Sequence, residues 1–193
     1  MQASQVRENQ SSVHKNSNPQ SKLMEIEHKF NVPVDQLFDA FTTSEALKIW
    51  WWPKGLHSDH IEIDFRESGK YFINMKGFDR GGGMTGQFEE IVKNKRIVMT
   101  DQFADENGQP ISAEEAGMPG AWPELIYITF DFDSVDKNTS CFKLSQEGIP
   151  NEVQKDCIQG WSESFDKLEK YLSARSNRLI KEWSGPSQKE SQE

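Results

Sequence analysis

Cysteine is scarce: the 193 residues hold two, Cys141 and Cys157, sixteen apart and outside any CxxC context. That count excludes a scaffold built on several disulfides. The pair reads as reduced, small, buried hydrophobes of a cytoplasmic protein. No apolar run approaches the ~20 residues that span a bilayer, and the N-terminus lacks the apolar core of a secretory signal. Positive charge is short as well. Lys and Arg number 22 against 31 Asp and Glu, a formal net charge of -9. With no Lys/Arg stripe evident to compensate locally, a phosphate backbone is not an expected partner.

The chemistry-bearing constellations are equally thin. "HSDH" at 57–60 offers two imidazoles and a carboxylate, but zinc wants three or four ligands on a rigid frame and no third strong ligand is evident. His57 and His60 therefore read as solvated loop residues, and no metal is expected. "RGGGMTG" at 80–86 lacks the Gly-Lys-Ser/Thr ending of a phosphate-cradling loop and lies between strands. It reads as a hairpin connection. "GWSES" at 160–164 has its serines inside a helical pattern, not on a strand–turn–helix elbow. Asp131 and Asp133 share a strand face opposite Phe130 and Phe132, and read as surface charge. Asp64 and Arg66 share a face as an exposed pair of little energetic worth. No catalytic residue is assigned and no cofactor is called for.

What the chain does have is aromatic residues, twelve Phe and six Trp, enough for a sizeable core. Residues 1–22 are Ser-, Asn- and Gln-rich and are expected to be disordered. Residues 174–193 read as a polar C-terminal tail with a short helix at 178–183 at most, or with that stretch extending the helix before it. Between them, 23–173 form one domain. A first strand begins at Met24, Pro33 opens a short helix, and Ser44 is expected to cap a second one that Pro53 and Gly55 end. Two-residue alternation then marks strands near 60–65, 70–75, 86–92, 96–103, 124–132 and 140–146. From Asn151 to Ser173, Val153, Cys157, Trp161, Phe165, Leu168 and Leu172 recur every three or four residues, an amphipathic helix. The order is β-α-α followed by six strands and a long helix. This is an α+β layout with a six- to seven-stranded antiparallel sheet whose apolar face needs that helix as cover. An internal space between the two is expected.

Several segments carry a family resemblance. "EALKIWWWPKG" (45–55) resembles the Leu-x-x-Trp-Trp-x-Pro segment of the Aha-like family, activators of the Hsp chaperone ATPase and their bacterial homologues. "DFRESGKY" (64–71) is similar to that family's Asp-x-Arg-x-Gly-Gly-x-Phe turn, with Ser68 where the first glycine is usual. "GQFEEI" (86–91), "RIV" (96–98) and "GWSESFDKLEKYL" (160–172) match its later strands and last helix. The loop at 103–123 resembles a bacterial subgroup of single-domain members. The resemblance spans about residues 24–173 and implies a helix-grip, START-like (SRPBCC) fold with a cavity used across the superfamily for hydrophobic molecules. Chaperone co-activators of the family carry a further N-terminal domain that contributes to chaperone binding. Here a short polar segment precedes Met24, so a chaperone or other protein partner takes second place.

The leading expectation is thus a small hydrophobic or amphipathic ligand held between sheet and long helix. By strand period, Tyr71, Ile73, Phe88, Met99, Ile128, Phe130 and Phe142 point inward, met by Trp161 and Phe165 from the helix. Trp122, in the long loop, is expected at the cavity mouth. The alternative is a co-chaperone-like interaction module with an exposed aromatic patch. In the run Trp50-Trp51-Trp52 three consecutive side chains cannot share one face. Trp50 and Trp51 fall on the family's paired tryptophans, so Trp52 is the residue expected to be exposed or to line the cavity mouth. A polyketide-cyclase-like enzyme comes third, since the inward positions are nearly all apolar.

Overall fold

Alternation of apolar and polar residues through the middle of the chain builds a single antiparallel sheet. The computed structural model describes residues 23–78 and 81–183. The segment 1–22 and the stretch 184–193 lie outside the described residues. In chain order the elements are β1 (Met24–Phe30), α1 (Val34–Asp39), α2 (Ser44–Trp50), β2 (Ile61–Ile63), β3 (Lys70–Asn74), β4 (Gly83–Val92), β5 (Arg96–Ala104), β6 (Ile126–Asp136), β7 (Thr139–Glu147) and α3 (Gln154–Trp183).

The seven strands lie in the order β1-β7-β6-β5-β4-β3-β2. β2 to β7 form a meander, and β1 closes onto its last strand. Because side chains alternate, the register decides what faces the helix. Ile63 stands opposite Tyr71, Tyr71 opposite Gly86, Phe88 opposite Met99, Met99 opposite Ile128, and Phe132 opposite Phe142. All but Gly86 and Ile63 are deeply buried. α3 lies over this face with Phe165, Leu168 and Leu172 fully buried, and each such side chain is worth roughly 1.5–3 kcal/mol. The α+β helix-grip arrangement is the observed one.

Local chemistry explains most element ends. Thr43, not Ser44, is the N-cap of α2, and its hydroxyl accepts from Ala46 N at 3.3 Å. Thr and Ser both cap, and here the backbone turns helical one residue after the first of them. In the turn before β3, Ser68 takes φ 60°, the left-handed region that suits glycine. A Cβ on the next residue, Gly69, would lie 2.0 Å from the Asp64 carbonyl oxygen. The turn thus tolerates serine at its first position and not at its second.

α3 departs from expectation at its C-terminal end. No break occurs at Ser173; the helix continues through Arg178 to Trp183, 30 residues in all, or about 45 Å at 1.5 Å per residue. The segment 174–183 is therefore helix, not tail. Its residues Ser-Ala-Arg-Ser-Asn-Arg contain no proline or glycine, so nothing stops propagation once the preceding turns are anchored.

Phe142 is fully buried while Asp133, beside it on the opposite face, is exposed. Phe142→Ala should lower the unfolding free energy by about 3–5 kcal/mol in guanidinium titrations. Asp133→Ala should change it by no more than about 0.5 kcal/mol. Equal losses for the two would refute this register.

Candidate functional site

The three tryptophans resolve because the helix stops among them. Trp50, the last residue of α2, is fully buried and donates its indole N–H to the Ala40 carbonyl at 2.9 Å. Trp51, the C-cap, keeps helical dihedrals and donates its backbone N–H to the Leu47 carbonyl at 3.0 Å, and its ring packs edge-on against Trp161 of α3, centroids 5.4 Å apart. Its carbonyl accepts the Ser164 hydroxyl at 3.0 Å. Trp52, expected to be exposed, is half-buried against the core. Its Nε1 lies 2.7 Å from both Ser58 Oγ and the Asn74 carbonyl. An indole held by its N–H in this way is not a free patch, and the expectation for Trp52 is corrected.

The same Asn74 organises the "HSDH" loop. Its side-chain carbonyl accepts from the backbone N–H groups of Asp59 and His60 at 3.2 and 3.0 Å, and its amide donates to the Asp59 carboxylate. His57 and His60 are exposed, and His60 meets Glu62 at 2.9 Å. Among the described residues no group of three or more His, Cys, Asp and Glu could hold a metal ion. Cys141 and Cys157 are free and half-buried, and burial pushes the Cys157 thiol up to about 11.

The interior is where the structure differs most from expectation. Tyr71, Ile73, Phe88, Met99 and Phe130 do come together, with Phe41, Leu47, Trp51, Ile63 and Ile97, around one small interior space. That space is ≈ 10 Å³, at most a single water's worth. Ile128, Phe142 and Phe165 are fully buried core beside it. Trp161 is half-buried, stacked on Phe165 with centroids 5.8 Å apart, and donates to Gln146 Oε1 at 3.0 Å. Trp122 is half-buried in its loop, edge-on to Phe103 at 5.2 Å, with its N–H on the Pro119 carbonyl. A ligand pocket occupies roughly 300–1,000 Å³. The physical reason for its absence is aromatic filling. Phe41 lies within 5.5 Å of Phe130, Phe132 and Phe142 at once, and Trp50 and Trp51 close the same side. Among the described residues, the small interior space lies beneath the α1–α2 segment, while Trp161 and Phe165 of α3 pack directly on Phe130 and Phe142, and the large cavity expected between sheet and long helix is not seen.

Against that apolar lining stands one buried polar pair that strand period also marks, since Asp101 shares a face with Ile97 and Met99. Asp101 is 4% exposed. The Tyr71 hydroxyl oxygen lies 2.6 Å from Asp101 Oδ1 and 2.8 Å from the Thr100 carbonyl oxygen. Gly86 permits the reach: a Cβ there would meet the Thr100 oxygen at 2.0 Å and the phenol oxygen at 3.0 Å. A phenol has one proton and here faces two acceptors. The count closes when Asp101 is the neutral acid, its O–H donating to Tyr71 while Tyr71 donates to Thr100. Burial acts in the same direction, raising Asp101 to about 7, and it holds Tyr71 well above the ordinary phenol range, with the carboxyl beside it adding to the effect. Among the described residues no cation forms an ion pair with Asp101; its carboxyl meets Tyr71 and the Gln102 backbone. The arrangement ties β3 to β5 across β4.

A concavity of ligand size lies outside. Between α2 and α3 runs an open groove of ≈ 560 Å³ lined by Ile49, Lys167, Lys170, Tyr171, Ala174, Arg175 and Arg178. Its α3 residues step by three and four along one face, which places four cations on a single stripe. The expectation that no Lys/Arg stripe exists is thereby corrected: the cations are dispersed in the sequence and converge only at helical period. Lys167 donates to the carbonyls of Trp52 and Leu56 at 2.7 and 3.4 Å, and burial lowers its pKa. Arg175 meets Asp39 of α1 at 3.3 Å. Ile49 is 49% exposed at the groove's edge.

Comparisons with known proteins agree with this architecture. The sequence profile of the family described as Activator of Hsp90 ATPase homolog 1-like protein matches residues 31–173. Among solved structures, a Nitrosomonas europaea protein superposes with a TM-score of 0.65 at 17% identity, covering 80% of this chain and 96% of its own. The AHSA1 protein of Silicibacter pomeroyi gives 0.64 at 21%, covering 80% and 99%. A Chromobacterium violaceum protein gives 0.61 at 21%, covering 78% and 96%. At such identities these show the shared fold. The search of curated proteins gave no match. Among the described residues no helix is long and apolar enough to cross a membrane.

The Asp101 pair has a measurable consequence. The folded carboxyl titrates near 7 and the unfolded one near 3.9, so the folded protein holds a proton that the unfolded chain releases. This contribution is full below about pH 4, falls as pH rises and is flat above about pH 7, an upper bound of about 4 kcal/mol. Asp101→Asn keeps the shape and removes the titration. The stability difference between wild type and this variant should therefore drift through that window in urea titrations. A difference independent of pH would mean that Asp101 is buried as the anion.

Proposed function

The chain belongs to the family of Activator of Hsp90 ATPase homolog 1-like proteins, and from that premise we propose that it works as a protein-interaction module. Its partner lies in the groove between α2 and α3, with no small molecule held inside the fold. One contrast carries the reading: the interior space between the sheet and the α1–α2 segment is ≈ 10 Å³, and α3 packs its Trp161 and Phe165 directly on Phe130 and Phe142, whereas the outer groove is ≈ 560 Å³. A hydrophobic ligand would have to displace packed Phe and Trp side chains, each costing about 3–5 kcal/mol when its contacts are lost. The groove is open already. It pairs apolar surface from Ile49, Tyr171 and Ala174 with polar heads at its rim, the composition of a recognition surface.

The family's name supports a protein partner over a reaction, and the site gives no reason to add chemistry. The polar atoms of the interior, on Tyr71, Asp101, Gln146 and Trp161, bond to one another or to backbone. A polyketide-cyclase-like role would need such groups turned toward an empty chamber.

A photo-crosslinking residue at Ala174 should give a discrete protein adduct in cells, and the same residue at exposed Val135, on β6, should not. Native mass spectrometry of the purified protein should show the mass of the chain alone. A co-purifying small molecule, or equal adducts from both positions, would return the interior to consideration and set this reading aside.

A further inference from the structure

The groove also specifies the chemistry of its occupant. Resting on the interaction reading above, we infer that the partner presents an acidic peptide segment with an aliphatic side chain among its carboxylates. The chain as a whole carries an excess of nine negative charges, yet this one concavity is lined by Lys167, Lys170, Arg175 and Arg178 and by no carboxylate. Among the residues whose side chains are described, no Asp or Glu forms an ion pair with Lys167 or Lys170; Arg175 has Asp39.

The charged groups around the groove on all three helices fit this assignment. From α1, Asp39 holds one Arg175 nitrogen at 3.3 Å and leaves the rest of its fork free. From α2, Lys48 adds a further exposed cation and Glu45 an exposed carboxylate at the helix's opposite end. From α3, Glu163 lies one turn before Lys167 and is turned to the Lys54 backbone N–H at 3.1 Å. Lys167 spends its N–H donors on neutral carbonyls, and the Glu163 carboxylate acts on its charge from a distance, short of an ion pair. A cation stripped of some water, as Lys167 is, attracts a carboxylate more strongly than one at the surface. Lys170 and Arg178 are exposed and can hold further carboxylates, Arg178 in two-pronged fashion. Ile49 and the Tyr171 ring give the aliphatic side chain its seat.

Other polyanions fit less well. A nucleic acid presents phosphates far beyond one groove, and the remaining surface is acidic and repels them. A membrane meets flat or convex basic faces, and these cations surround a concavity. Charge complementarity of this extent raises association rates and makes binding depend on salt.

The test uses the full chain and a short fluorescein-labelled peptide of aspartates and glutamates around one leucine, read by anisotropy. Binding should weaken steeply between about 0.1 and 1 M salt, where the screening length falls from about 10 to 3 Å. Lys170→Glu and Arg178→Glu should each reduce affinity about tenfold, and Ile49→Ser should reduce it through the leucine alone. Lys155→Glu makes the same charge change at an exposed α3 position outside the groove and should leave binding as it was. Circular dichroism melts of the variants separate lost binding from lost folding. The inference is overturned if the acidic peptide fails to bind or if a lysine-substituted peptide binds equally well. It is also overturned if anionic vesicles or an oligonucleotide take the same residues in its place. Should the acidic peptide fail while the Ala174 crosslink still forms, the acidic chemistry falls and the interaction reading stands.

Discussion

The hydrogen bond from Trp50 to the Ala40 carbonyl fixes the geometry on which the remaining packing rests. Both partners are fully buried, so neither can exchange the other for water, and loss of one leaves the other unsatisfied at about 1–3 kcal/mol. That bond sets how α2 sits against the turn that follows α1. With α2 set, Trp51 must fall on Trp161 and its carbonyl on Ser164, which seats α3. With α3 seated, Lys167 reaches the carbonyls of Trp52 and Leu56, and the groove between the two helices takes its shape. One indole thus links the core to the surface proposed to act.

Much of this was legible from residue spacing. The strands from Lys70 onward follow two-residue alternation, and α3 follows its three-and-four spacing, because both periods report directly which side chains are buried. The inward set of Tyr71, Phe88, Met99 and Phe130 was legible for the same reason. What alternation cannot supply is the distance between the faces it defines. Whether Phe41 fills the space opposite Phe130 or leaves it open depends on the height at which α1 and α2 enter. No local pattern encodes that height, so a large cavity was expected where the described residues leave ≈ 10 Å³. Trp52 escaped for a related reason: its fate rests on Ser58 and Asn74, which the chain brings to it from beyond a loop.

Two features could have been found with the same tools. Asp101 interrupts an apolar face at an inward position, and a carboxylate there signals either a partner or a retained proton. The stripe of Lys167, Lys170, Arg175 and Arg178 obeys the period that identified the buried face of α3, read on its other side. The local scarcity of positive charge hid it, because those cations are separated in sequence by Glu169 and by neutral residues.

The length of α3 bears on how such a groove would behave. Among the residues whose side chains are described, its last deeply buried one is Leu172, and Ser176 still touches Gln36 of α1, but Asn177 and Arg178 are exposed. The far wall of the groove is therefore helix held mainly by its own backbone, and isolated turns of helix are only marginally stable in water. An occupant spanning Lys167 to Arg178 would tie that wall to the anchored part of the helix. Part of its binding free energy would then be spent on suppressing fraying, so the affinity of the groove is coupled to the helix propensity of residues that no ligand need touch.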